Sequence, residues 1–139
     1  MADSNFSLII PTRFRPGHVE RLFRYFLRHS QRFPIILADG SEGNVHAEYC
    51  RVVNEAQRQG LNIDHFVSPE LNYSNRVLAA LRRVNTAHVN LTADDDFISP
   101  DFLIEASRRL HDNSSVAAPP LVEGKRPSLS AHFFREFDN

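Results

Sequence analysis

The segment His88-Val-Asn-Leu-Thr-Ala-Asp-Asp-Asp-Phe-Ile-Ser-Pro100 joins a predicted strand to a predicted helix through three consecutive aspartates. Residues 88–93 have the length of a buried strand and lead directly into the acidic residues. Ser99 is of a type that caps helices, and proline at the next position is tolerated in a first helical turn. The segment therefore predicts a strand, a polar loop and a helix in that order.

The rest of the chain repeats this alternation of strand and helix. Short apolar runs, typical of strands buried on both faces, lie at residues 6–11, 34–38, 63–67 and 116–118. Amphipathic helical patterns begin near residues 16, 44, 73 and 99 and end near 27, 58, 84 and 110. Such alternation predicts an α/β protein with a mostly parallel, Rossmann-like sheet and helices on both faces.

The alternating pattern stops at Pro119, and this sets the predicted domain boundary. A chain of 139 residues suits one domain with a single core. Residues 1–120 are predicted to form that domain. Residues 121–139, where proline stands among glycine, lysine and serine, are predicted to form a C-terminal arm or a disordered tail.

Composition and charge narrow the classes of function. The formal net charge is −1, so no nucleic-acid partner is expected. The single cysteine, Cys50, excludes an internal disulfide and a multi-cysteine zinc site. No basic region followed by an apolar run opens the chain, and no apolar run is long enough for a transmembrane helix. These features predict a cytoplasmic protein, and they leave homo-oligomerisation open.

Polar clusters follow three of the predicted strands. They are Thr12-Arg13, Asp39-Gly40-Ser41 and the aspartates at 94–96. In an open α/β sheet, ligands bind outside the carboxyl ends of the strands. The sequence therefore predicts a binding site at this edge.

Each cluster has a binding interpretation and an ordinary one. Three adjacent aspartates repel one another, and Mg²⁺ or Mn²⁺ would neutralise them with oxygen ligands; a solvated acidic loop is the alternative. Asp39 can accept from a base N–H or a ribose hydroxyl, although Asp-Gly is also a common turn. Arg13 and Arg15 suit phosphate oxygens or lie in solvent. No Walker lysine motif and no GxGxxG occurs, which counts against P-loop and dinucleotide-binding enzymes.

Taken together, three blocks resemble the opening of family 2 glycosyltransferases of the GT-A fold: Ser7-Leu-Ile-Ile-Pro-Thr12, Ala38-Asp-Gly-Ser41 and Leu91-Thr-Ala-Asp-Asp-Asp-Phe-Ile-Ser-Pro100. The last block is similar to that of a bacterial subgroup with an ADDDF sequence. The resemblance covers about residues 6–120, the nucleotide-binding half of such enzymes. It implies a nucleotide-sugar donor, most often a UDP-sugar, an unidentified acceptor, and Mg²⁺ or Mn²⁺ as cofactor. The nucleotide-binding positions it implies are Pro11, Thr12, Arg13, Asp39, Arg76 and Asp94. The metal positions it implies are Asp94, Asp95 and Asp96.

The chain departs from the family pattern at several points. Arg13 and Phe14 stand where an aromatic residue and an asparagine are common, and residues 72–76 echo the family's asparagine-containing helix start only loosely. Asp94 with Asp96 fits the family's DxD motif directly, whereas alignment on the later proline favours Asp95 with Asp96. No acceptor-binding half with a catalytic base follows residue 120, so a truncated form is expected and enzyme activity is left open. The alternatives are a non-catalytic nucleotide-sugar-binding module and, less favoured, a receiver-like phosphoacceptor domain.

Overall fold

The computed structural model describes residues 5–30, 32–112 and 132–134. Five strands and four helices alternate along them. In chain order they are β1 (Phe6–Thr12), α1 (Pro16–Leu27), β2 (Pro34–Asp39), α2 (Val45–Arg58), β3 (Asn62–Val67), α3 (Tyr73–Leu81), β4 (His88–Leu91), α4 (Pro100–Asp112) and β5 (His132–Phe134).

The strands form one sheet in the order β3-β2-β1-β4-β5, with β1 at its centre. β1 pairs in parallel with β2, where Thr12 lies opposite Asp39, and in parallel with β4, where Ile9 lies opposite Leu91. β3 is parallel to β2, and only β5 is antiparallel. The predicted fold class, a mostly parallel α/β sheet, is confirmed.

Helices cover both faces of the sheet, as predicted. Leu8 and Ile10 of β1 face a large core formed with α1, α2 and α4, whereas Ile9 faces a smaller core that contains Ala80 of α3. The side chains of Leu8, Ile9 and Ile10 are completely buried. This explains why β1 is a continuous apolar run rather than an alternating one.

The four predicted strands at residues 6–11, 34–38, 63–67 and 88–93 all exist, with small differences at their ends. β4 ends at Leu91, two residues early, because the chain then folds into a turn that the Asp96 amide closes by donating to the carbonyl of Ala93 (3.3 Å). α3 ends at Leu81 rather than 84, because the Val84 amide bonds the carbonyl three residues back, at 3.1 Å, as in a tightened last turn.

A strand that no sequence pattern indicated, β5, pairs with the outer edge of β4. It lies in the segment predicted as an arm or tail, and the other residues of that segment lie outside the described part of the chain. The predicted strand at 116–118 also lies outside it. The division into a domain of residues 1–120 and a tail thus stays a prediction.

Candidate functional site

The carboxyl ends of the four parallel strands meet at one edge of the sheet. The strand order changes direction there, since β2 and β3 lie on one side of β1 and β4 lies on the other. Ligands of open α/β sheets bind at such a switch point. The polar clusters after β1, β2 and β4 are therefore brought to a common edge, as the sequence predicted.

A cavity of about 450 Å³ opens at this edge between β1, β4 and the start of α3. Its lining residues are Pro11, Thr12, Arg13, Arg15, Tyr73, Arg76, Leu91, Thr92, Ala93 and Asp94. Five of the six predicted nucleotide-binding residues are among them, and Asp39 is not. A second cavity, of about 410 Å³, lies between α1 and α2, away from the strand ends.

Thr12 connects the cavity to the core through a chain of hydrogen bonds. Its hydroxyl donates to Oδ2 of Asp94 (2.7 Å) and lies 2.7 Å from the hydroxyl of Tyr49. Because the single Thr12 proton goes to the carboxylate, the Tyr49 hydroxyl must be the donor in the second bond. Burial raises the pKa of Tyr49 and keeps its proton in place. Asp94, which is 3% exposed, is thus fixed by a buried polar network.

The guanidinium of Arg15 lies between two of the predicted metal ligands. Its Nη1 is 2.9 Å from Oδ1 of Asp94, and its Nη2 is 2.8 Å from Oδ2 of Asp95. Nη2 also lies 2.7 Å from Nδ1 of His18. The hydrogen bond from Arg15 lowers the pKa of Asp95 and raises that of the guanidinium itself. Both groups of the pair therefore stay charged at neutral pH.

A possible set of metal ligands is formed by Asp94, Asp95 and His18, whose donor atoms all lie within 4.8 Å of one another. Two carboxylates suit Mg²⁺ or Mn²⁺, so the donor chemistry fits the predicted cofactor. Asp96 is not part of this set. His18 was not predicted, because no sequence pattern connects it with the acidic loop, and only the fold brings the two together.

Asp39 is fully buried, and its carboxylate is bonded within the protein. Oδ1 accepts from the Ser41 amide (2.8 Å), and Oδ2 lies 3.0 Å from Nε2 of His65. Burial alone would raise the pKa of Asp39, but the bonds from His65 and Ser41 outweigh it and hold that pKa below its ordinary value. Asp39 shares the edge with Asp94, but its predicted contact with a base stays a prediction.

Arg76 brings a buried positive charge to the cavity. The residue is 4% exposed, and Nη1 donates to the carbonyl of Leu71 (2.9 Å). Among the described residues its Nε has no hydrogen-bond partner, and none of their carboxylates forms an ion pair with it. The guanidinium lies against Gly40, where any β-carbon would collide with it. A buried cation without a counter-ion favours an anionic ligand.

Thr92 adds a second unused polar group to the same cavity. It is 2% exposed, and its Oγ1 has no partner among the described residues. Buried hydroxyls are normally hydrogen-bonded. Thr92 and Arg76 thus each place a buried, unpartnered polar atom in the wall of the same cavity.

The backbone of Phe14 is strained at the edge of the cavity. Its φ of 54° lies in the left-handed region, which is rare for a bulky side chain. Its amide donates to Oγ of Ser41 (2.7 Å), which ties the loop after β1 to the loop after β2. The Arg13 guanidinium lies 5.3 Å from the Phe14 ring centroid. Strain of this kind gathers at binding sites, where the surrounding structure enforces it.

Comparison with known proteins finds solved structures with a similar fold. The sequence matches no protein-family model and no curated protein. Among solved structures, the mannosyltransferase PcManGT from Pyrobaculum calidifontis, in complex with GDP-Man and Mn²⁺, is 16% identical with a TM-score of 0.63, over 81% of this chain and 34% of that one. S. aureus TarS 1-349 in complex with UDP-GlcNAc is 17% identical with a TM-score of 0.61, and the match covers 78% of this chain and 32% of TarS 1-349. CMP:2-keto-3-deoxy-manno-octonic acid synthetase complexed with CTP is 12% identical with a TM-score of 0.50, and the match covers 81% of this chain and 49% of the synthetase.

At these identities the likeness establishes the fold alone, which is that of GT-A-like glycosyltransferases. The chain spans about a third of the length of the two glycosyltransferases it resembles. No helix within the described residues is long and apolar enough to cross a membrane.

Proposed function

We propose that this chain binds a nucleoside-diphosphate sugar in the cavity at the ends of β1 and β4, as the donor-binding part of a family 2 type glycosyltransferase. The observation that carries the proposal is Arg76, a buried cation with no counter-ion among the described residues, in a cavity that Asp94 also lines. The mannosyltransferase and TarS structures support it, since they contain GDP-Man with Mn²⁺ and UDP-GlcNAc.

In this proposal each side of the cavity has a separate task. Arg76 and Arg13 bind the diphosphate oxygens, because a guanidinium offers paired N–H groups with the right geometry for them. Pro11, Thr12 and Asp39 lie along the nucleotide. For Asp39 to meet a base, the base would have to replace His65 at Oδ2 or share that oxygen with it. A UDP-sugar is the preferred donor by family resemblance.

The acidic loop supplies the oxygen ligands for Mg²⁺ or Mn²⁺. Asp94 and Asp95 are close enough to bind one ion together with His18, and Asp96 is the further candidate from the sequence. A bound divalent ion would offset the charge that builds up on the departing nucleoside diphosphate. Thr12 holds Asp94 in place for this task through its 2.7 Å hydrogen bond. Transfer also needs an acceptor site and a base, so sugar transfer is proposed only together with an acceptor-binding part; without one, the chain acts as a binding module.

Isothermal titration tests the proposal directly. UDP and UDP-GlcNAc should bind with Mn²⁺ present and bind weakly in EDTA, since carboxylates alone repel a diphosphate. Asp95→Asn and Asp96→Asn distinguish the two candidate metal ligands, and Asp101→Asn, an exposed position in the first turn of α4, is the matched control. GDP and CTP show whether the base is discriminated. If no nucleotide binds, the proposed donor site is wrong. If binding is unchanged in EDTA, the proposed role of the metal is wrong.

A further inference from the structure

The cation position between Asp94 and Asp95 is filled by the protein itself. Arg15 places one guanidinium nitrogen on each carboxylate, at 2.9 and 2.8 Å, and the second nitrogen also contacts Nδ1 of His18. These are the residues whose donor atoms could hold a metal ion. Arg15 therefore makes the contacts that a divalent cation would make.

A metal ion and the guanidinium cannot hold these groups at the same time. Arg15 contacts Oδ1 of Asp94 and Oδ2 of Asp95, and these are two of the three residues whose donor atoms lie close enough to hold one ion. An ion there would stand within contact distance of a second positive charge, and like charges at such a distance repel strongly where water is partly excluded. Asp94, at 3% exposed, lies in such a place, whereas the side chains of Arg15 and Asp95 are 42% and 48% exposed and water partly screens their charges. Binding of a divalent cation thus requires Arg15 to leave.

The side chain of Arg15 is exposed enough to change its position, and a neighbouring cavity could receive it. Its side chain is 42% exposed, while its backbone is anchored by the bond from its amide to the Tyr49 hydroxyl (3.0 Å). The residue lines the same cavity as Arg76 and as Thr92, whose buried hydroxyl has no partner among the described residues. A phosphate group in the cavity would offer the released guanidinium a new anion.

We propose that Arg15 is an internal counter-ion which a divalent cation displaces, and that the displaced guanidinium then binds the diphosphate of the donor. This inference rests on the proposed function. It makes the two ligands cooperative, because the diphosphate lowers the cost of releasing Arg15 and the cation frees Arg15 for the diphosphate. Such coupling is reciprocal.

The test measures Mn²⁺ binding by titration, with no nucleotide present. Arg15→Gln removes the competing charge and should bind Mn²⁺ more tightly than the unmodified protein, within the range of about 5- to 150-fold typical of coupled sites. Arg28→Gln, at an exposed position at the end of α1, is the matched control and should not change Mn²⁺ affinity. Adding inorganic pyrophosphate should strengthen Mn²⁺ binding more in the unmodified protein than in Arg15→Gln. In NMR spectra of the unmodified protein, Mg²⁺ should shift the Arg15 Nε–H signal.

The outcomes separate this inference from the proposed function. Equal Mn²⁺ affinity in the unmodified protein and Arg15→Gln, or weaker binding in the variant, would overturn the displacement. If neither protein binds Mn²⁺, the displacement is also overturned, and the UDP titration then judges the donor site independently. An unmoved Arg15 signal at saturating Mg²⁺ would contradict it even if the variant proved unstable.

Discussion

Replacing Thr12 with valine tests the buried network beneath the cavity, because it removes one hydroxyl and nearly preserves the shape of the side chain. The variant loses the bond to the Asp94 carboxylate, of a kind worth about 1.5–3 kcal/mol. It also leaves the buried Tyr49 hydroxyl without its acceptor, at a cost of about 1–3 kcal/mol. The extra buried methyl group returns about 0.8 kcal/mol. We therefore expect a net loss of about 2–5 kcal/mol in the free energy of unfolding.

Thermal and urea unfolding would measure this loss. In domains of 150–250 residues, each kcal/mol of lost unfolding free energy lowers the melting temperature by about 2–4 °C. For this slightly shorter chain we therefore expect a decrease of about 10 °C. Thr12→Ser is the matched control, because it keeps the hydroxyl and loses only a methyl group, worth about 0.8 kcal/mol. If the serine variant lost as much stability as the valine variant, packing rather than the hydrogen-bond chain would hold this position.

Two further predictions concern the neighbouring strand end. Gly40→Ala should weaken UDP binding by about tenfold, because the new methyl group would overlap the guanidinium of Arg76 and force it out of its place. Titration of the folded variant that finds unchanged affinity would contradict the role of Arg76. The pKa of Asp39 is lower in the folded protein than in the unfolded chain. The ionised carboxylate therefore adds to the free energy of unfolding. This contribution is complete above the unfolded pKa, near 3.9, and is lost as the pH falls through the folded pKa. In urea unfolding between pH 6 and pH 2.5, the stability difference between the unmodified protein and Asp39→Asn should therefore shrink toward low pH, and a constant difference would refute the assignment.

The strands and their burial could be predicted from sequence because β1 and β2 are continuous apolar runs that end in polar residues. The common edge of the clusters followed from the parallel arrangement alone. Five of the six predicted nucleotide-binding residues line one cavity for this reason, although their contact with a nucleotide is still a prediction.

What could not be predicted are contacts that depend on side-chain direction and strand order. The ion pair of Arg15 with Asp95 spans 80 positions and exists because β4, rather than β3, lies beside β1. The burial of Asp39 against His65 depends on the register of β2 with β3. β5 has three residues and is defined by its pairing with β4, so no local periodicity could indicate it.

The place of β1 at the centre of the sheet also sets an order for folding during synthesis. Residues 6–67 contain β1, β2 and β3, which are neighbours in the sheet, so they can pair as the chain leaves the ribosome from its N-terminal end. Until β4 arrives, the other side of β1 is an open strand edge, a template for unwanted association. Asp94 reaches Thr12 and Arg15 only once β4 is made, so the buried polar network beneath the cavity forms after the first three strands have been synthesised.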